Sequence, residues 1–190
     1  MTLLNYYRIP SEIPKIICDE IIKKYYNEDE LNIAEVGKNG GVNSVNYKYR
    51  KSKVFWINND TWIAGMLAHF ANSANSLYFN FDIDGFRKHI QFTVYDSEGD
   101  YYGWHIDVDN ESLSEKLTRK LSIVMCLSSK DDYEGGEFEL YWPSSTMKET
   151  IKLDCGEVIV FPSILQHRVR PIKSGKRFSL VGWMGGPPFK

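Results

Sequence analysis

The residues of this chain best suited to chemistry are a histidine and a carboxylate two positions apart. They are His105 and Asp107, in the run Tyr102-Gly103-Trp104-His105-Ile106-Asp107. The run is typical of a β-strand, in which side chains at positions i and i+2 point to the same face. The imidazole and the carboxylate can therefore bind one metal ion together. The pattern alone also fits a surface strand with two polar side chains in water, so a third ligand has to distinguish the two interpretations.

A second histidine, His167, follows His105 by 62 residues and comes after an apolar segment and a turn. Two histidines and one carboxylate form the facial triad of non-haem iron(II) sites, which leaves coordination positions open. An oxoacid can occupy two open positions and O₂ the third. The sequence therefore predicts a metal site made by His105, Asp107 and His167.

Arg177 and Ser179 follow on a predicted strand at 177–184 and share one face of it, while Phe178 and Leu180 occupy the other. A guanidinium group binds a carboxylate through two parallel hydrogen bonds, and a hydroxyl can add another. This pair is therefore the predicted anchor for the carboxylate of an oxoacid beside the metal.

Three other residues could compete for the metal. Asp109 lies on the same face as Asp107, but we expect it past the end of the strand and rank it second. His69 falls inside a predicted helix with no second ligand at i+4, and His89 falls on a separate strand candidate. We interpret both histidines as structural.

Two helical patterns precede the strand-rich part of the chain. Ser11 is the predicted N-cap of a helix that runs to about residue 26. A second helix follows the capping residues at 58–61. Its predicted apolar face is Trp62, Met66, Leu67, Phe70, Ala71 and Ala74.

The rest of the chain alternates short strand patterns with turns such as the one at 133–136. The strand candidates are 31–36, 54–57, 77–83, 89–95, 101–107, 120–127, 137–142, 150–153, 157–161, 167–169 and 177–184. Many short strands at this spacing indicate a β-sandwich or barrel with the helices packed on one sheet. Without repeats or a domain boundary, the 190 residues are expected to form a single domain, with the β core at roughly 77–186.

Composition excludes several classes of protein. The net charge is −2 without a long run of one sign, so neither nucleic acid nor a membrane surface is expected as a partner. The three cysteines are an odd number and form no Cys-x-x-Cys site, which favours reduced thiols. No apolar run approaches the ~20 residues of a membrane span, and the N-terminus lacks a signal-peptide pattern. We expect a cytoplasmic protein, either a monomer or a homodimer.

The order His105-x-Asp107, then His167, then Arg177-x-Ser179 resembles the Fe(II)/2-oxoglutarate-dependent oxygenases, in particular the prolyl 4-hydroxylase-like and PKHD-type hydroxylases. The resemblance covers roughly residues 91–183. It implies a mainly β fold, a double-stranded β-helix (jelly-roll, cupin-like) with flanking helices. It also implies Fe(II) ligands at His105, Asp107 and His167, and 2-oxoglutarate bound by Arg177 with Ser179, supported by Tyr95.

The resemblance implies a dioxygenase that uses Fe(II), 2-oxoglutarate and O₂, with ascorbate as the reductant that rescues over-oxidised iron. Asp107 favours hydroxylation, because related halogenases lack a carboxylate at this position. Arg177 stands where many animal and plant prolyl 4-hydroxylases carry Lys, which points to the bacterial and phage-type branch.

The expected substrate is a side chain of a protein or peptide, preferably a proline residue, with a small molecule as the alternative. Tyr102, Trp104 and Trp183 are candidates for a substrate groove. The segments 47–53 and 109–119 are interpreted either as lids over the site or as ordinary surface loops. Two other functions stay open: an inactive jelly-roll binding module, and a cupin-type metalloenzyme that does not use 2-oxoglutarate. Arg177 and Ser179 argue against the second.

Overall fold

The computed structural model describes residues 6–36, 44–108, 118–142 and 148–188. The helices are α1 (Lys15–Tyr25) and α2 (Trp62–Ala74), and α2 continues into a π-helical turn at Asn75–Phe79. The strands are β1 (Tyr7–Ile9), β2 (Asn32–Ile33), β3 (Arg50–Lys51), β4 (Lys53–Ile57), β5 (Gly85–Phe86), β6 (Ile90–Tyr95), β7 (Tyr101–His105), β8 (Thr118–Cys126), β9 (Tyr133–Gly135), β10 (Phe138–Tyr141), β11 (Lys148–Ile151), β12 (Val158–Pro162), β13 (Gln166–Val169), β14 (Ile172–Gly175) and β15 (Arg177–Gly186).

Two antiparallel sheets form the body of the fold. The larger sheet has the order β1-β12-β8-β15-β6-β4-β2, with β5 added to β15, and the smaller has the order β11-β10-β13-β7-β3. A short pair, β14-β9, lies apart from both. Most neighbours in the sheets are distant in sequence, as in a double-stranded β-helix, and the predicted fold class is confirmed.

Two apolar cores lie on opposite faces of the larger sheet. On β8, Leu121 and Ile123 face the helices, where they meet Ile21 of α1 and Leu67 of α2. Val124 belongs instead to the core between the two sheets. With both faces covered, β8 is buried along its whole length. The predicted packing of the helices on one sheet is therefore correct, and the inner face of this sheet is left to form the site.

The ends of the helices differ from the prediction. Helix α1 begins at Lys15 rather than after Ser11, because Pro14 is its N-cap and the residue before a proline is disfavoured in helical conformation. On α2, Trp62 is 56% exposed, and Ile63 and Ala64 are buried in its place.

The expected strand at 77–83 is wrong. Helix α2 runs on through its π-helical turn to Asn80, which adopts the left-handed conformation with φ 52°. The Asn75 side chain bonds to both the amide and the carbonyl of Phe81 and so stabilises this reversal. The residue that stabilises the turn at Phe81 is therefore Asn75, six positions earlier in the sequence.

Other deviations concern short strands. The expected strand at 31–36 shrinks to β2, and the predicted turn at 133–136 is largely β9, paired with β14. Strands of two or three residues are too short to show an alternating pattern, which is why β1, β3 and β5 were not predicted. Strand β14, with four residues, was not predicted either. Among the described residues, neither helix is long and apolar enough to cross a membrane.

Candidate metal centre

The two histidines meet because their strands are neighbours in the smaller sheet. His105 on β7 stands opposite His167 on β13 in the antiparallel register, and their ring centroids are 4.1 Å apart. The side chain of His105 is 16% exposed and that of His167 is 6% exposed, so both are largely buried. The sheet therefore brings together side chains that are 62 positions apart in the sequence.

Asp107 reaches the histidines in a different way from the prediction. Strand β7 ends at His105, so Asp107 lies beyond the strand. The Asp107 amide donates to the Ser163 carbonyl at 2.9 Å, and Arg119 Nη1 donates to the Asp107 carbonyl at 3.1 Å. With the backbone held in this way, Asp107 Oδ1 lies 3.7 Å from His105 Nε2, and Oδ2 lies 3.3 Å from His167 Nε2.

Both imidazoles present the same nitrogen to the carboxylate. Nδ1 of His105 lies 2.8 Å from the Gly103 carbonyl, and Nδ1 of His167 lies 2.9 Å from the Leu165 carbonyl. Because a carbonyl only accepts hydrogen bonds, each Nδ1 carries the proton and each Nε2 has a free lone pair, the arrangement usual for metal-binding histidines. The donor atoms of the triad lie within 4.8 Å of one another, and in the described ranges no other group of this kind is found.

The protonation states also suit a metal. Burial, reinforced by the neighbouring His167, lowers the pKa of His105 to about 3, so its imidazole is neutral. Burial acts to raise the pKa of Asp107, but the net shift is downward, and hydrogen bonds to the carboxylate contribute to it. One of these bonds comes from Ser122 Oγ, which donates to Oδ2 at 2.6 Å. Two imidazole nitrogens and one anionic oxygen fit Fe(II) or a similar divalent ion.

Arg177 lines the same cleft as the triad and has no anionic partner within the described part of the chain. It stands opposite Tyr95 in the β15–β6 register, its side chain is 1% exposed, and its Nη1 donates to Ser179 Oγ at 3.1 Å. The shared face of Arg177 and Ser179 is thus confirmed. Among the described residues, Arg177 Nε has no hydrogen-bond partner. Burial acts to lower the pKa of Arg177, but the neighbouring Cys126, Tyr133 and Tyr95 outweigh it and raise that pKa. A buried, unpaired guanidinium is costly, and a bound carboxylate would remove the cost.

Tyr95 completes this end of the site. Its side chain is buried, and its ring centroid lies 5.5 Å from Arg177 Cζ. Burial raises the pKa of Tyr95 although Arg50 and Arg177 act to lower it, so the phenol stays protonated and can donate a hydrogen bond.

All these groups open into one cleft of about 1490 Å³. The three aromatic residues predicted for a groove also line it. Tyr102 stacks on His105, with 3.5 Å between ring centroids, and Trp183 lies under Arg119. Trp104 stands at the rim and is 36% exposed. His89, interpreted as structural, lines the cleft as well.

Several residues of the site were not predicted. Ser122 and Ser163, which contact each other at 2.9 Å, come together only through the pairing of β8 with β12. The segment 47–53 was expected to be a lid or a surface loop, and both readings are wrong for its second half, which holds β3 and the start of β4. Arg50 and Ser52 are buried there, and their i, i+2 spacing was the available signal. Asp109 and most of the segment 109–119 lie outside the described residues.

Comparisons with known sequences point in the same direction as the geometry. The family model described as the 2OG-Fe(II) oxygenase superfamily matches residues 90–185. A PKHD-type hydroxylase from Hyphomonas neptunium is 41% identical over 88 residues, which cover 46% of this chain and 38% of that protein. Another, from Prochlorococcus marinus, is 31% identical over 161 residues, covering 83% of this chain and 70% of that protein. The aligned part is thus well under half the length of the first relative.

Solved structures show the same fold at low identity. A Pseudomonas putida prolyl-4-hydroxylase is similar with a TM-score of 0.72 at 20% identity, over 95% of this chain and 91% of that one. A Trichoplax adhaerens prolyl hydroxylase, solved in complex with a peptide fragment of hypoxia inducible factor, has a TM-score of 0.75 at 19% identity, over 95% and 83% of the two chains. Both matches extend over nearly the whole chain, so the likeness includes the N-terminal helices.

Proposed function

The chain belongs to the 2OG-Fe(II) oxygenase superfamily, and on that premise we propose that it is an Fe(II)- and 2-oxoglutarate-dependent dioxygenase that hydroxylates a C–H bond. The observation that carries the proposal is the combination, in one cleft, of a His-Asp-His triad with a buried arginine for which the described residues supply no anionic partner. An inactive binding module would not need both features. A metalloenzyme without an oxoacid would not need the arginine.

In this proposal the metal is held by Nε2 of His105, Nε2 of His167 and the carboxylate of Asp107. When bound, Fe(II) with 2-oxoglutarate supplies the oxidising power to introduce an oxygen atom from O₂ into a C–H bond. The protein keeps the His105 imidazole neutral by burial, supports the ionised carboxylate of Asp107 with a hydrogen bond from Ser122, and directs both Nδ1 atoms at backbone carbonyls.

Arg177 binds the far carboxylate of 2-oxoglutarate. Its Nη1 is oriented by Ser179, while its unpartnered Nε is free to donate to the incoming oxygen. Tyr95, protonated and opposite Arg177 on β6, adds a hydroxyl donor. The burial of all three side chains excludes water from this end, which strengthens their hydrogen bonds to a carboxylate.

The substrate we propose is a side chain of a protein or peptide, preferably that of a proline residue. The peptide fragment bound to the Trichoplax adhaerens neighbour supports this choice, and so does an open cleft with aromatic walls. A small molecule is the alternative. Ascorbate as a reductant, a single domain over the whole chain, a cytoplasmic location and a monomeric or homodimeric state also remain proposals.

The proposal is tested by anaerobic addition of Fe(II) and 2-oxoglutarate. We expect a visible charge-transfer band that is absent in His167→Ala, which lacks a metal ligand. In Arg177→Gln the band should need about 100-fold more 2-oxoglutarate, since a hydrogen-bonded charge pair is lost. Arg170→Gln removes an arginine that is 49% exposed and should leave the band unchanged. If wild-type protein gives no band and consumes no 2-oxoglutarate in air, the proposed function is wrong.

A further inference from the structure

Arg50 is a second buried arginine of the cleft, and the proposed reaction does not use it. Its side chain is 5% exposed, and its Nη2 has no hydrogen-bond partner in the ranges that the structure describes. In the described part of the chain its contacts are a hydroxyl and an aromatic ring rather than a carboxylate: Nε donates to Ser52 Oγ at 2.8 Å, and Cζ lies 4.4 Å from the centre of the Tyr102 ring. A buried cation of this kind is stabilised by a bound anion.

The Tyr102 ring separates Arg50 from the triad. Arg50 pairs with Tyr102 across β3 and β7, and the imidazole of His105 stacks on the same ring at 3.5 Å and 15°. Two groups at these distances from one ring centre cannot share a face without overlapping. Arg50 and His105 therefore lie on opposite faces, and a ligand of Arg50 is one aromatic ring away from the metal site.

Because of this separation, we infer that the anion bound by Arg50 belongs to a molecule other than 2-oxoglutarate. In the proposed function, one end of 2-oxoglutarate is on the metal, on the His105 side of the ring, and the other end is held by Arg177. Both carboxylates of 2-oxoglutarate then have partners without Arg50, although Arg50 is near enough to Tyr95 to act on the pKa of its phenol. The remaining molecule that enters the cleft is the substrate, so the inference rests on the proposed function and extends it to the choice of substrate.

The charge of the cleft agrees with this assignment. The chain has a net charge of −2, yet its described cleft lining has more basic than acidic side chains. The basic residues are Arg50, Arg87, Lys88, Arg119 and Arg177, and the acidic ones are Glu35 and Asp107. Arg87 is paired with Asp84, which removes part of the excess. A concave surface with one predominant sign of charge attracts ligands of the opposite sign.

We propose that Arg50 recognises a carboxylate of the substrate, placed across Tyr102 from the carbon that is hydroxylated. Arginine suits this task because its planar fork offers parallel donors to the two oxygens of a carboxylate. The carboxylate is either the side chain of an acidic residue in a peptide or the free carboxyl group of a small acid. These two sources share the same chemistry and are separated by the experiment.

The test is calorimetric titration of the anaerobic protein loaded with Fe(II) and 2-oxoglutarate. Two matched pairs of probes are compared: N-acetyl-L-proline with N-acetyl-L-prolinamide for a free carboxyl group, and acetyl-Glu-Pro-amide with acetyl-Gln-Pro-amide for an acidic side chain. In wild-type protein we expect the acid of one pair to bind at least about tenfold more tightly than its amide, the size expected for a charge-assisted hydrogen bond. The pair that shows the preference identifies the source.

The preference should disappear in Arg50→Gln, remain in part in Arg50→Lys, and persist in Lys88→Gln, which removes a cleft cation at another position. Arg50→Lys keeps the inference testable if the glutamine variant fails to fold. Equal binding of acid and amide in wild-type protein, absent binding of both acids, or a preference that survives in Arg50→Gln would overturn the inference.

The same titrations separate this inference from the proposed function. Affinity for 2-oxoglutarate should fall in Arg177→Gln and stay within about twofold of wild type in Arg50→Gln, because the two arginines hold different molecules. A large loss of 2-oxoglutarate affinity in Arg50→Gln would assign Arg50 to the co-substrate and refute the substrate role alone. Failure of wild-type protein to bind 2-oxoglutarate would instead refute the proposed function.

Discussion

At the scale of single residues, Ser122 connects the larger sheet to the proposed metal ligands. It lies on β8, its hydroxyl donates to Asp107 Oδ2 at 2.6 Å, and it also contacts Ser163 Oγ at 2.9 Å. Ser163 in turn accepts the backbone amide of Asp107 through its carbonyl. The carboxylate is thus oriented from two sides before a metal arrives, and such outer partners set the affinity of a metal site.

Replacement of Ser122 by Ala should therefore weaken metal binding by about 10-fold, the lower end of the effect of losing such a partner. The change is measured by anaerobic titration of Fe(II) or Mn(II). Ser128→Ala is the control, because Ser128 Oγ accepts the Phe178 amide and donates to the Lys176 carbonyl away from the triad. Equal metal affinities of the two variants would show that the Ser122 hydroxyl does not support Asp107.

How far the sequence could predict the site depends on how far apart its parts lie in the chain. His105 and Asp107 are local neighbours, and Arg177 and Ser179 share a face because of the two-residue strand period. These relations could be read directly from the sequence. Ser122 could not be identified in this way, because its position depends on the register of β8 against β12. The i, i+2 spacing of Arg50 and Ser52 indicates a shared face, but only the register of β3 against β7 places Arg50 at the site. Register is set by tertiary pairing, which no local pattern contains.

At the scale of elements, Glu139 joins three strands of the smaller sheet. On β10 it stands directly opposite Thr150 of β11 and Arg168 of β13. Its carboxylate has no exposed surface and accepts from Arg168 Nε at 2.5 Å, and Lys148 Nζ lies at 3.1 Å. Since β13 also carries His167, the cross-strand bonds of Glu139 stabilise the sheet that positions the triad.

Glu139→Gln should lower the free energy of unfolding by about 2 kcal/mol at neutral pH, because Arg168 and Lys148 lose the buried carboxylate with which they pair. Burial acts to raise the pKa of Glu139, but Arg168 and Lys148 outweigh it and lower that pKa. A lowered folded-state pKa stabilises the protein above the unfolded value of about 4.3, and this stability is lost as the pH falls through the folded value. The difference in unfolding free energy between Glu139→Gln and wild type should therefore shrink as the pH falls below the unfolded pKa of about 4.3.

Urea unfolding over a series of pH values measures this effect. Glu134→Gln is the matched control, since Glu134 is 64% exposed in its pair with Lys173 and should change stability by less than about 0.5 kcal/mol. A destabilisation in Glu139→Gln that stays constant down to acidic pH would mean that the loss comes from packing and not from the ionised carboxylate.

At the scale of the whole molecule, the larger sheet separates a structural core from a functional one. Its outer face packs on α1 and α2, and its inner face forms the core behind the triad. Phe161 belongs to the inner core, and its ring lies 4.8 Å from that of His167. Leu67 belongs to the outer core on α2, and both side chains are fully buried. The two cores should therefore affect stability alike but metal binding differently.

Leu67→Ala and Phe161→Ala should each lower the free energy of unfolding, by about 2–5 and about 3–5 kcal/mol, because each leaves a cavity in a packed core. Only Phe161→Ala should also weaken Fe(II) binding, since the His167 ring loses a wall against which it is oriented. Metal titration of both variants at a temperature where each is folded separates the two effects. If Leu67→Ala weakens metal binding as much as Phe161→Ala, the sheet transmits strain between its faces, and the site depends on the helices as well as on the strands that carry its ligands.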